Sequence, residues 1–483
     1  MLVKRTIGAA IVLFWCVMNF LLIQRQLAAP PPLLTLRGTE KITEASQEWW
    51  GVFFRGEKIG YATQTITPTA EGYELRDRSV LNLNLLGTVQ PAETRLEMAA
   101  NEEWILRRFS FELTSKNISF KARGAVNDNK LALSVDSAGH RSNQELTLTQ
   151  APYLLAALKP YIVTQQLESG KTFYFSTFDP STLSQQVTTL VIEGREPIRL
   201  GNRTETAIRL RQSFRGISVL SWVDGQGRTL KEESPAGMSL VRQSETEARS
   251  PSARALTLDI AAQTAIPVAD PIADPQARGA IELKLSGVDL QNFPLHSGRQ
   301  RLRDGRLEIR REDLPRLAPL RLPISDRQMA SYLRSTPFLQ SDHPTVQALV
   351  KKILQGETDA RRAAVKLKDW VYREIAKEPT VSIPNALEVL RTKKGDCNEH
   401  TVLFNALARA AGIPAKTVVG VVYLRGAFYY HAWSEVWLGD WVSLDSVLNQ
   451  FPADVTHVKF LEGEIDRQID ILQLIGNLKI EVL

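Results

Sequence analysis

The sequence predicts an α+β protein: a β-rich domain, then a core in which helices precede strands, with an N-terminal membrane anchor ahead of both. Three observations carry this prediction. From about Trp49 to Arg249, short alternating apolar runs are punctuated by turn residues, the pattern of a curved sheet or open barrel. From Asp342 onward, helical periodicity comes first and strand alternation second. Ahead of these, Lys4 and Arg5 precede an uncharged, mainly apolar run from Thr6 to Ile23.

That run exceeds the roughly 7–15 apolar residues of a signal-peptide core and reaches the lower range for a spanning helix. Positive residues stay on the cytoplasmic side, so residues 1–28 are expected to be a signal anchor. The body would then lie outside the cytoplasm, periplasmic and tethered to the inner membrane by one pass. Residues 29–48, with Pro30-Pro31-Pro32, read as a stiff spacer. Of the two cysteines, Cys16 lies in the anchor, which leaves Cys397 alone in the exported body and excludes an internal disulfide there.

Residues 49–249 form the β-rich domain. Strands are expected near Trp50–Phe54, Ile59–Ile66, Ser79–Leu86, Phe109–Leu113, Ser119–Ala125 and Leu131–Val135. Pro152–Tyr161 reads as a short helix. Strands resume at Phe173–Phe178, Gln186–Glu193, Thr206–Arg211 and Ile217–Val223. Such a sheet could enclose an apolar concavity for lipid or peptide, or serve as a structural or partner-docking surface. Residues 250–341 combine a Pro-containing linker with a small β module at Ala280–Ser286 and Arg306–Arg311. Residues 342–450 are the expected catalytic core, and 451–483 a C-terminal extension. The core opens with a helix capped by Asp342 with Pro344 in its first turn, then a second from about Thr358 to Ala376.

The chemistry concentrates at Gly395-Asp396-Cys397-Asn398-Glu399-His400. Asp396 is a good N-cap, and Val402, Leu403, Ala406, Leu407 and Ala410 form one helical stripe that Gly412-Ile413-Pro414 ends. A thiol in the first turn meets unpaired N–H groups and the positive helix end, which favour thiolate. Downstream, His431 to Val436 reads as a strand, Gly439-Asp440 as a turn and Trp441 to Asp445 as a second strand. The order supplies a nucleophile, a general base and an orienting carboxylate. A two-residue turn would place His431 and Asp445 on opposite faces. A three-residue loop at 438–440 pairs Trp437 with Trp441 and makes the two same-face neighbours, so an odd loop or bulge is expected.

At these residues the chain resembles the transglutaminase-like superfamily, a branch of the papain-like cysteine enzymes. The matching blocks are Gly395 to His400, Leu407 to Ala415, His431 to Val436 and Trp441 to Asp445. The resemblance implies a Cys-bearing helix packed on an antiparallel sheet that carries His and Asp. It also implies acyl transfer on amide or peptide substrates, with Cys397 as nucleophile, His431 as base and Asp445 as its partner. Ser446 stands where the family usually has Pro. Hydrolysis is favoured over amine cross-linking, because water is abundant and no amine site is evident. The alternative is an inactive core serving as a binding or scaffold module of the cell envelope.

Other candidates carry less. Cys397-x-x-His400 resembles a pair of metal ligands, but structural zinc needs about four, and His400 reads as a helix-surface residue or one that supports the site residues from behind. Asn385 is a cap with a lesser claim to the oxyanion. Glu435 reads as structural, paired with a nearby base, and His140, His296, His343 and His457 are isolated. A thiolate mechanism calls for no metal or organic cofactor. The net charge of +6 is modest for 483 residues. The arginines of Arg299–Arg311 are interspersed with Asp304 and Glu308, a solvated face rather than a nucleic-acid site. The expected partners are therefore a protein or peptide amide, cell-wall peptide among the candidates, and the membrane.

Overall fold

The computed structural model describes residues 33, 42–116, 118–137, 139–164, 168–201, 203–252 and 257–483. The anchor expected over 1–28 and most of the spacer lie outside the described residues. Among the described residues, no helix is long and apolar enough to cross a membrane.

The β-rich domain is a 14-stranded antiparallel sheet built from two meanders. One runs from Ser46–Phe54 to His140–Thr147, the other from Thr172–Asp179 to Met238–Arg242. The first and last strands pair with each other, from Trp50 opposite Arg242 to Phe54 opposite Met238. Tyr153, on the crossing between the meanders, bridges both Ile105 and Thr177. Its N–H donates to Ser176 O at 2.8 Å, while Leu106 N–H donates to Pro152 O at 2.9 Å. One short segment can touch strands this far apart in sheet order only if the sheet curls around it. Alternation explains the inside: along Leu106–Ser115, Leu106, Phe109, Phe111 and Leu113 are buried.

Several strands were not legible as strands. Thr88–Asn101 carries Pro91 in its ladder opposite Asn82, and His140–Thr147 is an edge strand with scarcely an apolar residue to alternate. Thr229–Glu233 and Met238–Arg242 are short and only partly buried.

In the core, helices Pro344–Leu354, Ala360–Glu374, Ala386–Thr392 and Cys397–Ala410 share an apolar seam that includes Val346, Val350, Leu367, Val371, Leu403 and Leu407. The cap of the first helix differs from expectation. His343 accepts the Thr345 N–H at 3.2 Å, while Asp342 takes the Ser335 hydroxyl instead. The sheet runs in the order Ile266–Pro267, Ala427–Trp437, Ala415–Leu424, Val458–Glu462, with Trp441–Leu444 paired to Ala427–Trp437. It therefore continues beyond residue 450.

Behind it, Ala280–Ser286, Gln300–Arg303, Arg306–Arg310 and Lys479–Val482 form a four-stranded sheet. Leu283, Leu307, Val421, Phe428 and Phe460 fill the space between the two sheets. The β-rich domain packs against the core. Phe120 and Phe338 are 6.3 Å apart between ring centroids, and Gln90 Nε2 donates to Pro379 O at 2.8 Å.

Candidate active site

Local capping chemistry fixes the cysteine. Asp396 Oδ1 accepts the Asn398 N–H at 2.9 Å, and Glu399 Oε2 accepts the Asp396 N–H at 2.8 Å. This reciprocal box starts the helix at Cys397, which is half-buried. The neighbouring strand Ala427–Trp437 offers it a seat. That strand pairs with Pro267 and Ile266 at residues 427 and 428, and with Trp441–Leu444 at 434–437. In the gap between, Ala432 turns its backbone to the helix: its carbonyl accepts the Thr401 hydroxyl at 3.1 Å, and its N–H donates to Cys397 Sγ.

The expected three-residue loop is present, with Trp437 opposite Trp441 and Ser434 opposite Leu444. Asp445 follows on the face of His431, and His431 Nε2 donates to Asp445 Oδ2 at 2.7 Å. The other carboxylate oxygen accepts the N–H groups of Val447 and Leu448 at 2.7 and 2.8 Å. With Nε2 committed, Nδ1 is the ring nitrogen left for proton exchange. The structure thus brings His431 and Asp445 into contact. Cys397 lies against the residue next to His431, with no Cys397–His431 hydrogen bond among the described residues.

The electrostatics differ from the expectation at the thiol. Burial pushes Cys397 well above its ordinary value, and the Asp396, Glu399 and Asp445 carboxylates push the same way against the Ala432 N–H. The resting group is therefore a thiol, not the thiolate that the helix end alone would favour. Burial and Glu399 likewise hold the Asp396 carboxyl well above the usual range. Asp445 goes the other way. Burial would raise it, but the charge and hydrogen bonds of His431 and His457 outweigh burial and hold it well below the usual range.

His457 is the residue that sequence reasoning missed. It is fully buried, with Nε2 3.0 Å from Asp445 Oδ2 and Nδ1 3.2 Å from Asp454 Oδ1. Ionised carboxylates only accept, so making both bonds requires both ring nitrogens to carry protons. Burial opposes the charge, yet the two carboxylates raise this histidine above its ordinary value. Asp454 three residues before it was a visible signal, but nothing in the sequence shows the loop folding back onto Asp445. Arg299 holds that loop. Its buried guanidinium donates to the carbonyls of Ala453, Asp454 and His457 at 2.5, 2.7 and 3.2 Å. The solvated-face reading of Arg299–Arg311 therefore fails at Arg299.

The remaining candidates also find their places. His400 is fully buried rather than on the helix surface, with Nδ1 2.7 Å from Asp396 O and Nε2 3.3 Å from Ile375 O. Asn385 caps its helix by accepting the Glu388 N–H at 3.0 Å. Glu435 is clasped by Lys459 at 2.9 Å and Lys416 at 3.2 Å. Trp433, next to these residues in the sheet, is core, stacked 6.2 Å from His431 and edge-on to His457 at 5.2 Å.

Among the described residues, the atoms of His431, Asp445 and His457 lie within 4.8 Å of one another, close enough to consider a metal ion. Two tetrahedral ligands at about 2.0–2.1 Å would stand about 3.3 Å apart. The two nitrogens are instead 2.7 and 3.0 Å from a single carboxylate oxygen, which is hydrogen-bonding distance.

Residues 347–446 match the family model of the transglutaminase-like superfamily, and this segment is a transglutaminase-like core. An uncharacterized protein of Haemophilus influenzae is 29% identical over 30% of this chain and 47% of its own length, so the match spans about half of that relative. A candidate cysteine protease from Cytophaga hutchinsonii is similar over 42% of this chain and 83% of its own, at 18% identity and TM-score 0.29. A β-barrel-like protein from Brucella abortus is similar over 42% of this chain and 97% of its own, at 9% identity and TM-score 0.33. Both scores are too low for either fold to be carried over.

Proposed function

We propose that this chain is a cysteine-dependent acyl-transfer enzyme acting on amide or peptide substrates, with Cys397 as nucleophile, His431 as general base and Asp445 as the orienting carboxylate. The observation that carries the reading is the 2.7 Å His431–Asp445 bond beside a cysteine seated on Ala432. His431 Nδ1 takes the thiol proton as sulfur attacks the carbonyl carbon, so the elevated resting thiol calls for base assistance in the attack itself. The Cys397 N–H, at the helix start, faces the developing oxyanion. His431 then returns the proton to the departing amine, leaving a thioester that water resolves, in preference to an amine. The apolar run at Thr6–Ile23 supports a single-pass membrane anchor with the catalytic body outside the cytoplasm, where cell-wall peptide is a candidate substrate.

A second reading, an inactive scaffold module, is favoured by the carboxylates that suppress the thiolate. Iodoacetamide alkylation of the full chain separates the two, read at the Cys397 peptide by mass spectrometry so that Cys16 does not contribute. The enzyme reading expects wild type to react faster than His431→Ala at pH 7, and Cys397→Ala to abolish peptide hydrolysis while the fold persists. Equal alkylation rates would overturn it in favour of the scaffold.

A further inference from the structure

The curled sheet of the β-rich domain encloses a cavity of about 830 Å³, within the range of roughly 300–1,000 Å³ typical of small-molecule sites. Trp50, Leu75, Met98, Trp104 and Leu106 are among its apolar lining. Cys397, His431 and Asp445 are not part of its wall, so nothing proposed for the catalytic core uses it.

Most charges on the wall already have partners within the protein. Lys159 pairs with Glu232, and Glu48 lies 3.3 Å from Arg242. Asp179 accepts the Ser181 and Thr182 hydroxyls at 2.7 and 2.9 Å. Asp77 is the exception. It stands opposite Gln64 in the strand register, both side chains line the cavity, and Gln64 hydrogen-bonds the carboxyl. Its Oδ1 is nevertheless buried without a hydrogen-bond partner. Burial pushes the carboxyl up to about 6, so it is still mainly ionised at neutral pH. A buried carboxylate oxygen lacking a donor costs free energy that a cationic donor would recover.

We propose that this cavity is a binding site for an amphiphile with an apolar chain and a protonated amine head, the chain lying along the tryptophans and the amine on Asp77 Oδ1. The head is specified by charge. A carboxylate or phosphate head would meet Asp77 as a like charge, and a hydroxyl head would leave the Asp77 charge unbalanced. The chain is specified by the lining, which offers extended apolar surface. This site is independent of the catalytic reading and stands or falls without it.

The test is calorimetric titration of the full chain with octylamine, octan-1-ol and octanoate, three probes that share one chain and differ in the head. The expected order is octylamine at least tenfold tighter than octan-1-ol, with octanoate weakest. Asp77→Asn should erase the advantage of the amine and leave octan-1-ol unchanged, and Ser79→Phe, which fills the same wall, should weaken all three. Equal affinity for the three heads would overturn the proposal, as would no binding by any. The wild-type series decides even if a variant fails to fold.

Discussion

His457→Gln probes a buried charge that the sequence does not announce. The imidazole stands between Asp445 at 3.0 Å and Asp454 at 3.2 Å, with no solvent contact. A glutamine amide has donors at one end only, so one carboxylate loses its donor and both lose the positive charge. Breaking a buried pair costs about 3–5 kcal/mol. The low end, about 3 kcal/mol, applies here, because Asp445 keeps His431 while Asp454 keeps Thr456 and Gln450. The cost must also follow pH. The folded protein raises His457, so its contribution is complete below the unfolded value of about 6.5 and is lost as pH rises through the folded value. Each tenfold preference of the folded state for that proton contributes about 1.4 kcal/mol. Asp445 and Asp454 are held low, so their share persists above about pH 4 and fades only in stronger acid. Urea unfolding of wild type and variant at intervals from pH 5 to 9, followed by tryptophan emission, should therefore give curves that converge as pH rises. A constant gap, or none, would refute the doubly bonded imidazolium.

Three other substitutions test neighbouring parts. Asp396→Asn keeps a capping side chain but removes a negative charge beside the thiol, so the pH profile of Cys397 alkylation should move to lower pH. Gly420→Ala should cost about 3 kcal/mol or more in urea unfolding, since its Cβ would stand 1.9 Å from Val458 O, a backbone atom that cannot rotate away. Glu435→Gln leaves Lys416 and Lys459 buried with less counter-charge and should cost about 3 kcal/mol near neutral pH. Burial raises Glu435, but the two lysines outweigh that and lower it, so the loss measured by urea midpoint should shrink as acid titrates the wild-type carboxylate.

What could be read in the sequence was local or periodic. Asp396 announced a helix start because capping depends on side chains three residues away, and the loop at 438–440 followed from the parity of a strand. Strands with buried alternation, such as Leu106–Ser115, showed themselves, whereas the polar edge His140–Thr147 had no contrast to show. His457 and Arg299 were not legible because their roles arise from pairings between distant segments: Gln300 meets Lys459 across 159 positions, and the 453–457 loop comes with it. The thiol was misjudged for a related reason. The helix end is a local feature, but the cost of burial and the reach of Asp445 belong to the assembled site. His343 displaced Asp342 as a cap because Ser335, seven residues upstream, claims that carboxylate.

The seam where the first strand of the β-rich domain meets the last has a mechanical meaning. The chain enters near Ser46 and leaves near Arg242, and the two strands run antiparallel from Trp50–Arg242 to Phe54–Met238. Entry and exit lie at the same end of this ladder. Tension between the domain's ends therefore loads its rungs one after another, as a zipper is opened, instead of shearing them together. Trp50–Arg242 is the rung nearest the load, and Trp50 lines the cavity of the curled sheet. Pulling on this chain would part the sheet at that line first and uncover its interior while the two meanders remained folded.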